Sequence, residues 1–195
     1  SYLSSPDQRP LEFFFYTATG GALSNAMVSL QAGDSIWIKQ QANGFFTLNE
    51  VPTADDLWML GTGTGVAPFL SILNTEEPWQ RFKNIVLVYA VRTPSDLRYQ
   101  EMIGRLQQAY GDRFTFQAFV SREEIPGTLH GRVPAAIENG SLQRAVDMPL
   151  TPDRSQLMLC GNPDMVKDTV ELLKIQGFSK NRRRTPGQIT VENYW

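Results

Sequence analysis

The sequence predicts an α/β fold in which a five-stranded parallel sheet, with helices on both faces, follows a shorter stretch of antiparallel β-structure. Two observations support this prediction. From about residue 56 each short apolar run is followed by a helix-length segment, which is the rhythm of βαβ units and therefore of a parallel sheet. Before that point, strand-like runs are separated by turn residues and by a single helix-length segment.

The amino-terminal stretch contains two predicted strands and one predicted helix. Residues 11–17 are rich in aromatic side chains and lie between turns that contain proline and glycine, which favours a strand. Residues 23–30 are predicted to form a short helix with Ser24 or Asn25 as its amino-terminal cap. The alternation of apolar and polar side chains over residues 35–39 fits a half-buried strand.

The rest of the chain alternates strands with helices. The predicted strands are residues 57–61, 85–91, 114–120 and 156–160, with residues 189–194 as the fifth. The predicted helices are residues 66–74, 95–110, 132–139 and 163–176. Because the rhythm changes near Val51-Pro52-Thr53, we expect two structural units, residues 1–52 and 53–195.

Composition excludes several classes of function. With 18 Lys and Arg against 20 Asp and Glu, the formal charge is -2, which argues against a nucleic-acid partner. Cys160 and His130 are the only residues of their types, too few for a multi-thiolate metal site or a Ser-His triad. The sequence has no apolar run long enough for a membrane span. We therefore expect a cytoplasmic monomer without a metal or a membrane contact.

A glycine-rich loop follows the first parallel strand. Gly61-Thr62-Gly63-Thr64-Gly65 lies where the chain passes from this strand into a helix, and a pyrophosphate or a flavin can approach backbone N–H groups in such a loop. The spacing differs from the common dinucleotide-binding pattern, so a tight turn without a ligand is an alternative interpretation.

Arginines follow the next two predicted strands. Arg92 comes after residues 85–91, Arg122 comes after residues 114–120 together with Ser121, and Arg132 lies a short loop further on. A guanidinium group suits a 2′-phosphate because it forms paired, charge-assisted hydrogen bonds, so this pattern favours NADP over NAD. Each arginine alone could be an ordinary solvated loop residue.

Cys160-Gly161-Asn162-Pro163 connects the fourth predicted strand to a helix. The position at the same edge of the sheet as the glycine-rich loop suggests a role for Cys160 beside a nicotinamide. A buried lone cysteine is as often a small apolar residue of the core, and both interpretations stay open.

These motifs, in this order, resemble those of the bacterial ferredoxin/flavodoxin–NADP reductases, and the ending Glu192-Asn193-Tyr194-Trp195 resembles that subgroup closely. The resemblance implies an enzyme that uses FAD and NADP(H) and has a ferredoxin or flavodoxin as its partner. It also implies hydride transfer between nicotinamide C4 and flavin N5, and single-electron transfer to the partner. Residues 1–52 would then be part of a flavin-binding β-barrel, and residues 53–195 the NADP-binding domain, whose carboxyl-terminal tail contacts FAD.

The resemblance also implies individual site residues. Those expected to contact FAD are Ser1, Tyr16, Thr17, Ala18, Ala22, Leu23, Ser24, Thr62, Tyr194 and Trp195. Those expected to contact NADP are Val91, Arg92, Ser121, Arg122, Arg132, Gly161, Asn162 and Asp168. Ser1, near flavin N5, and Cys160, beside the nicotinamide, are the expected catalytic positions.

The amino terminus departs from the family pattern. Ser1-Tyr2 resembles the end of the family's Arg-x-Tyr-Ser flavin motif, whose Arg and Tyr would precede Ser1. We therefore expect a chain truncated at its amino terminus, with weakened FAD binding and unusual exposure of Phe13, Phe15 and Trp37. Two alternatives are a related NAD(P)H–flavin or oxygenase reductase, which Tyr194-Trp195 disfavours, and a nucleotide-binding fragment without catalysis.

Overall fold

The structure is a computed structural model that describes residues 2–17, 19–38 and 44–193. Within these ranges a single parallel sheet contains six strands in the order β4-β3-β2-β1-β5-β6. Their bounds are Asp56–Thr62 (β1), Asn84–Val91 (β2), Phe114–Val120 (β3), Leu129–His130 (β4), Ser155–Gly161 (β5) and Ile189–Asn193 (β6).

Helices cover both faces of the sheet. The helices that pack on the sheet are Ala67–Leu73 (α2), Glu77–Arg81 (α3), Gln100–Tyr110 (α4), Val133–Glu138 (α5), Ser141–Ala145 (α6) and Pro163–Ile175 (α7), whereas the amino-terminal helix Ala22–Val28 (α1) buries none of its residues. Apolar residues of α2, α3 and α4 form a core with one face, and those of α5, α6 and α7 form a second core with the other face. The predicted α/β fold is confirmed. Across the described residues, no helix is long and apolar enough to cross a membrane.

The five predicted strands of the sheet all form, with bounds that shift by no more than a residue. Strand β4 and helices α3 and α6 were not predicted, because segments of two to five residues carry too few positions to show a period. The predicted helix over residues 95–110 is interrupted: a 3₁₀ turn at Pro94–Asp96 precedes α4, and Tyr99 between them has a left-handed φ of 61°.

The two strands predicted in the amino-terminal stretch are wrong. Phe13 forms an isolated bridge to Tyr2, and residues 34–38 have no strand assignment; Lys39 lies outside the described residues. A strand needs neighbours that accept and donate its ladder hydrogen bonds, and periodicity cannot show whether they are present. The predicted helix does form, as α1. The expected exposure is also confirmed, since Trp37 is fully exposed while Phe13 and Phe15 are half-buried.

A buried carboxylate fixes the amino ends of the central strands. The side chain of Asp56 is fully buried and accepts hydrogen bonds from Arg154 Nε at 2.6 Å and Nη2 at 3.1 Å, and from Asn84 Nδ2 at 2.8 Å. Because Asp56 pairs in register with Asn84 and Ser155, these bonds hold the three central strands level at one end. The opposite end, where the strands reach their carboxyl termini, remains open for a site.

Candidate functional site

A cleft of about 650 Å³ opens at the carboxyl ends of β1, β2, β3 and β5. Loops leave all parallel strands at the same edge of the sheet, which is why open α/β sheets bind ligands there. The volume lies in the range of small-molecule sites, roughly 300–1,000 Å³. Its floor is formed by the loops after β1 and β5, and its walls by side chains from the loops after β2 and β3, from α7 and from the amino-terminal segment.

The floor is built from closely packed backbone. A Cβ atom on Gly65 would lie 2.5 Å from the carbonyl oxygen of Cys160, and one on Gly161 would lie 2.2 Å from Thr62 Oγ1. The Asn162 N–H donates to Thr62 Oγ1 at 2.7 Å, so the loops after β1 and β5 are joined directly. Glycine is therefore required at both positions, and a bound group can reach backbone atoms of this floor.

Helix α7 begins at the edge of the floor. The Asn162 side chain accepts hydrogen bonds from the backbone N–H groups of Asp164 at 2.9 Å and Met165 at 3.1 Å, and Pro163 occupies the first turn. This cap fixes the start of a thirteen-residue helix whose amino terminus faces the cleft. The helix dipole there favours a negatively charged group.

Three arginines form one wall. The β2–β3 pairing continues past the strand ends, since Ser121 N donates to the Val91 carbonyl at 3.1 Å and Arg122 N donates to the Arg92 carbonyl at 3.0 Å. Arg92 and Arg122 therefore emerge side by side, and Arg132, the residue before α5, completes the group. All three side chains are exposed, and none forms an ion pair within the described ranges. The wall is a cationic surface suited to a phosphate.

Acidic side chains line the cleft from α7, and an aromatic ring lines it from the amino-terminal segment. Asp164, Met165 and Asp168 face the cleft from the first turns of α7, and Tyr16 and Thr17 reach it from the amino-terminal segment. Of the α7 residues, sequence reasoning assigned only Asp168. Asp168 lies four residues after Asp164 and three after Met165, and these spacings, which place residues on one helix face, were the signal that could have found the other two.

Most of the expected site residues that the structure describes lie together in the cleft. Those that line it are Tyr16, Thr17, Thr62, Val91, Arg92, Ser121, Arg122, Arg132, Asn162 and Asp168. Gly161 is buried in the floor, whereas Ala22, Leu23 and Ser24 belong to α1 and do not line the cleft. Ser1, Ala18, Tyr194 and Trp195 lie outside the described residues.

Cys160 lies beneath the floor. Its side chain is fully buried and belongs to the core formed with α2, α3 and α4, and it does not line the cleft. This placement differs from the expectation that Cys160 lies beside a nicotinamide rather than in the core. Full burial is what the packing interpretation expects, and the role of Cys160 beside a nicotinamide stays a prediction.

Glu192 is a half-buried carboxyl group of β6 that does not line the cleft. It pairs in register with Cys160 near the carboxyl end of the sheet. Burial raises the pKa of the Glu192 carboxyl above its ordinary value. The available sequence signal for Glu192 was its place in the strand that precedes Tyr194-Trp195.

Comparison with known proteins agrees with this architecture. Residues 59–171 match the family described as the oxidoreductase NAD-binding domain. The flavodoxin/ferredoxin–NADP reductase of Escherichia coli K12 is 45% identical over 196 aligned positions, which cover the whole chain and 79% of that protein. Ferredoxin–NADP reductase A of Sorangium cellulosum is 30% identical, with 98% of the chain and 71% of that protein aligned.

A solved structure is similar over the whole chain. The ferredoxin NADP+ reductase of Neisseria gonorrhoeae, whose crystal structure contains bound FAD and NADP, superposes with a TM-score of 0.93 at 37% identity. The match covers 100% of this chain and 78% of that one. On this likeness in sequence and structure, the chain belongs to the flavodoxin/ferredoxin–NADP reductase family of oxidoreductases.

Proposed function

We propose that the chain is an FAD-dependent oxidoreductase that moves electrons between NADP(H) and a ferredoxin or flavodoxin. Hydride exchange between nicotinamide C4 and flavin N5, followed by single-electron transfer to the protein partner, is the chemistry that these cofactors supply when bound. The observation that carries the proposal is the convergence of Arg92, Arg122 and Arg132 on one wall of a cleft at the carboxyl ends of the parallel strands.

The residues of the cleft fit NADP in chemical type. Arg122 and Arg132 can meet the 2′-phosphate in paired, charge-assisted hydrogen bonds, and the Ser121 hydroxyl can add a third contact. The glycine-rich floor and the amino terminus of α7, capped by Asn162, suit the pyrophosphate. Asp168 on the far side favours the uncharged or cationic parts of the nucleotide, because its charge repels phosphate.

The amino-terminal wall fits the flavin side. Tyr16 and Thr17 present an aromatic ring and a hydroxyl group to the cleft, next to Thr62 of the floor. We propose that these residues contact FAD together with Ser1, Ala18, Ala22, Leu23, Ser24, Tyr194 and Trp195. In this arrangement residues 1–52 provide the flavin contacts, and residues 53–195 provide the nucleotide site and the carboxyl-terminal tail.

Hydride transfer requires the protein to position the two rings and does not require acid–base catalysis by a side chain. A hydride moves between two rings in contact, so the main tasks of the chain are to bind the rings, orient them and keep water out. In the cleft this falls to backbone groups and to the side chains that line it, arginines and aspartates among them. Ser1 remains a proposed neighbour of the reacting flavin edge, while the burial of Cys160 supports a packing role over contact with the nicotinamide.

A basic hairpin provides a docking surface for an acidic redox protein. Lys180 and Arg182–184 are exposed, and the pairing of Arg182 with Thr185 closes the turn that carries them. Among the described residues these four cations form no ion pair. Exposed like charges raise the local concentration of an oppositely charged partner and speed its association. We expect partner reduction, unlike reduction of an uncharged quinone, to slow steeply as ionic strength rises.

The nucleotide assignment is tested by exchanging single arginines. Arg122→Ala and Arg132→Ala should each weaken NADP binding about ten- to hundredfold and leave NAD binding nearly unchanged, because only NADP carries the 2′-phosphate. Binding of 2′-phospho-AMP, measured by calorimetry, should fall in parallel. Arg105→Ala is the matched control, since Arg105 is an exposed arginine of α4 that lies outside the cleft. Equal losses for NADP and NAD would overturn the assignment.

A further inference from the structure

Three aromatic rings form a row between the start of α4 and the floor of the cleft. Tyr99 and Phe14 pack edge-on, with ring centroids 5.2 Å apart, and Phe14 packs edge-on against Tyr16 at 5.3 Å. At the end of the row, the edge of the Tyr16 ring would lie 3.4 Å from a Cβ atom placed on Gly63, which is an ordinary contact distance. Because edge-on packing is a favoured geometry for aromatic pairs, the row stabilises the contact between the amino-terminal segment and the nucleotide half.

Tyr99 has an unusual backbone conformation at one end of the row. Its φ of 61° and ψ of 25° lie in the left-handed region, which is disfavoured for residues other than glycine. The Tyr99 carbonyl accepts a hydrogen bond from Ile103 N at 3.0 Å, so this residue also begins α4. A disfavoured conformation persists where the surrounding contacts hold it, and such positions cluster at functional sites.

The loop that ends at Tyr99 carries part of the cleft at its other end. Arg92 begins this loop and belongs to the cationic wall. Between them, the Asp96 carboxylate accepts hydrogen bonds from Thr93 N at 3.1 Å and Thr93 Oγ1 at 2.9 Å, and the Asp96 carbonyl accepts one from the Tyr89 hydroxyl at 3.1 Å. The loop is thereby tied to itself and to β2, so Tyr99 and Arg92 belong to one fixed unit.

The amino-terminal segment is anchored to the α/β half at its beginning. Leu3 is buried in the core that α2, α3 and α4 form with the sheet, and its backbone N–H donates to the Glu12 carbonyl at 2.9 Å. The Ser71 hydroxyl of α2 donates to the Ser4 carbonyl at 2.7 Å. These contacts hold residues 3–12, and the part of the segment that reaches the cleft lies beyond them.

The Tyr99 hydroxyl adds a weaker contact to the same segment. It donates a hydrogen bond to Glu12 Oε1 at 3.3 Å, and the Glu12 side chain is exposed. Burial, together with the Glu12 carboxylate, raises the pKa of Tyr99 to about 12, so the hydroxyl keeps its proton at neutral pH. A long hydrogen bond that is open to water contributes less than packed aromatic rings do. The ring, more than the hydroxyl, therefore holds the segment.

We propose that Tyr99 is a positioning residue whose ring sets the distance between two sides of the cleft, by holding Tyr16 against the loop that carries Arg92. The two sides come from parts of the chain that are far apart in the sequence, so their spacing depends on contacts of this kind. With a flavin along Tyr16 and NADP along the arginines, the spacing governs how closely the reacting rings approach, and a displacement of about 1 Å slows such a reaction strongly. This last step rests on the proposed function.

The test measures the distance directly, in the chain without added cofactor. Spin labels on Thr19→Cys and Glu138→Cys, exposed positions of the amino-terminal segment and of α5, report the spacing by double electron–electron resonance. Cys160 is buried and stays unlabelled. The parent should give one narrow distance distribution. Tyr99→Asn should broaden it about twofold or more, because asparagine accepts the left-handed backbone and supplies no ring. Tyr99→Phe should keep it narrow, since the ring remains.

Two further variants separate positioning from stability. Phe14→Leu removes the next ring of the row and leaves the Tyr99 side chain intact, so it should broaden the distribution as Tyr99→Asn does. Tyr110→Asn is the matched control, because Tyr110 stacks on Trp79 with centroids 3.4 Å apart, at the other end of α4 and outside the cleft. It should lower the melting temperature and leave the distance distribution unchanged.

Four results overturn the proposal. A broad distribution in the parent would show that the row of rings does not hold the segment, and a narrow one in either ring-removing variant would show that the ring is not needed. Broadening in Tyr99→Phe would assign the role to the hydroxyl. Equal broadening in Tyr110→Asn would show a general loss of stability.

The positioning role and the proposed function fail separately. With FAD and NADPH added, Tyr99→Asn should slow hydride transfer to the flavin, followed by stopped-flow absorbance, about tenfold or more. Its affinity for 2′-phospho-AMP should change by less than about twofold, because Arg122 and Arg132 are untouched. Arginine variants that do not discriminate NADP from NAD reject the function and leave the distances valid. A broadened distribution with unchanged hydride transfer rejects the effect on the reaction, and if the chain takes up no flavin, the distances alone decide.

Discussion

Trp58 and Trp37 are the same kind of residue in two differently built regions. Trp58 lies in the centre of the sheet and is 0% exposed, covered by the core of α5, α6 and α7, whereas Trp37 is fully exposed. Several other large apolar residues near Trp37 are exposed as well, namely Leu23, Val28, Ile36 and Ile38. The two regions have similar fractions of apolar residues. They differ in whether neighbouring helices and strands are available to cover those residues. Burial is therefore decided by the elements next in sequence and in space, more than by the hydrophobicity of a segment.

The largest test of this comparison replaces each tryptophan. Trp58→Ala should lower the free energy of unfolding by about 3–5 kcal/mol, because it leaves a cavity among close-packed side chains. Trp37→Ala should change it by less than about 0.5 kcal/mol, as substitutions at exposed positions usually do. Urea titration followed by circular dichroism measures both. A comparable loss for the two variants would mean that the amino-terminal segment packs in solution in a way that this structure lacks.

A second test locates the tightest packing within the α/β half. Gly65→Ala must displace the backbone carbonyl of Cys160, so we expect a loss of roughly 1–3 kcal/mol in unfolding free energy. Gly104, inside α4, has open space around its Cα, and Gly104→Ala should instead stabilise the protein by about 0.5–1 kcal/mol. Thermal melts of the pair check the opposite signs. Stabilisation by both would show that the cleft floor relaxes easily.

A third test concerns the burial of the Cys160 side chain. Cys160→Ala removes one buried heavy atom, which should cost about 0.5–1.5 kcal/mol of stability and leave NADP affinity unchanged within about twofold. Chemical denaturation and nucleotide titration of the same sample give both quantities. Normal stability combined with slower hydride transfer would restore Cys160 to the reacting site and reject the packing role.

The smallest expected effect is a pH dependence at the edge of the sheet. Burial raises the pKa of Glu192, so the unfolded chain loses this proton at a lower pH than the folded chain. Below the ordinary pKa of 4.5 the group is neutral in both states, and as pH rises through 4.5 towards the raised value, ionisation increasingly penalises the folded state. Glu192→Gln should therefore gain stability over the parent at pH 7 and show little difference at pH 4. A constant difference would disprove the burial effect.

The two regions also differ in how far the sequence predicted them. In the α/β half each strand and its covering helix are neighbours in sequence, so periodicity was enough to find five strands with their bounds. The same logic placed Arg92, Arg122 and Asn162 at the cleft, since residues that directly follow parallel strands meet at one edge. In the amino-terminal stretch the strand-like pattern of residues 11–17 and 35–39 was real, but a strand also requires partners that a pattern does not show.

Within the site, two properties could not be predicted from the sequence: how deeply a side chain is buried, and which residues distant in the sequence contact each other. Cys160 lies at the end of strand β5, and Arg92 directly follows strand β2. The Cys160 side chain is nevertheless buried in the core, whereas the Arg92 side chain is exposed to solvent. A shift of one position along a strand reverses the face, so motif position alone could not decide between the two. The packing of Tyr16 over Gly63 joins residues that are far apart in the sequence, and no local pattern predicts it.

The cleft has two parts that differ in their tolerance of substitutions. The closely packed glycines beneath the floor cannot be replaced, whereas the exposed arginines of the wall can. Gly65 and Gly161 are buried and have no room for a side chain, so the packing beneath the cleft does not tolerate a substitution at either position. The arginines of the rim are exposed and can be exchanged at little cost to folding. A change of preference between nucleotides is thus accessible by one or two substitutions at the rim, for an evolving lineage as for an engineer, without any redesign of the scaffold.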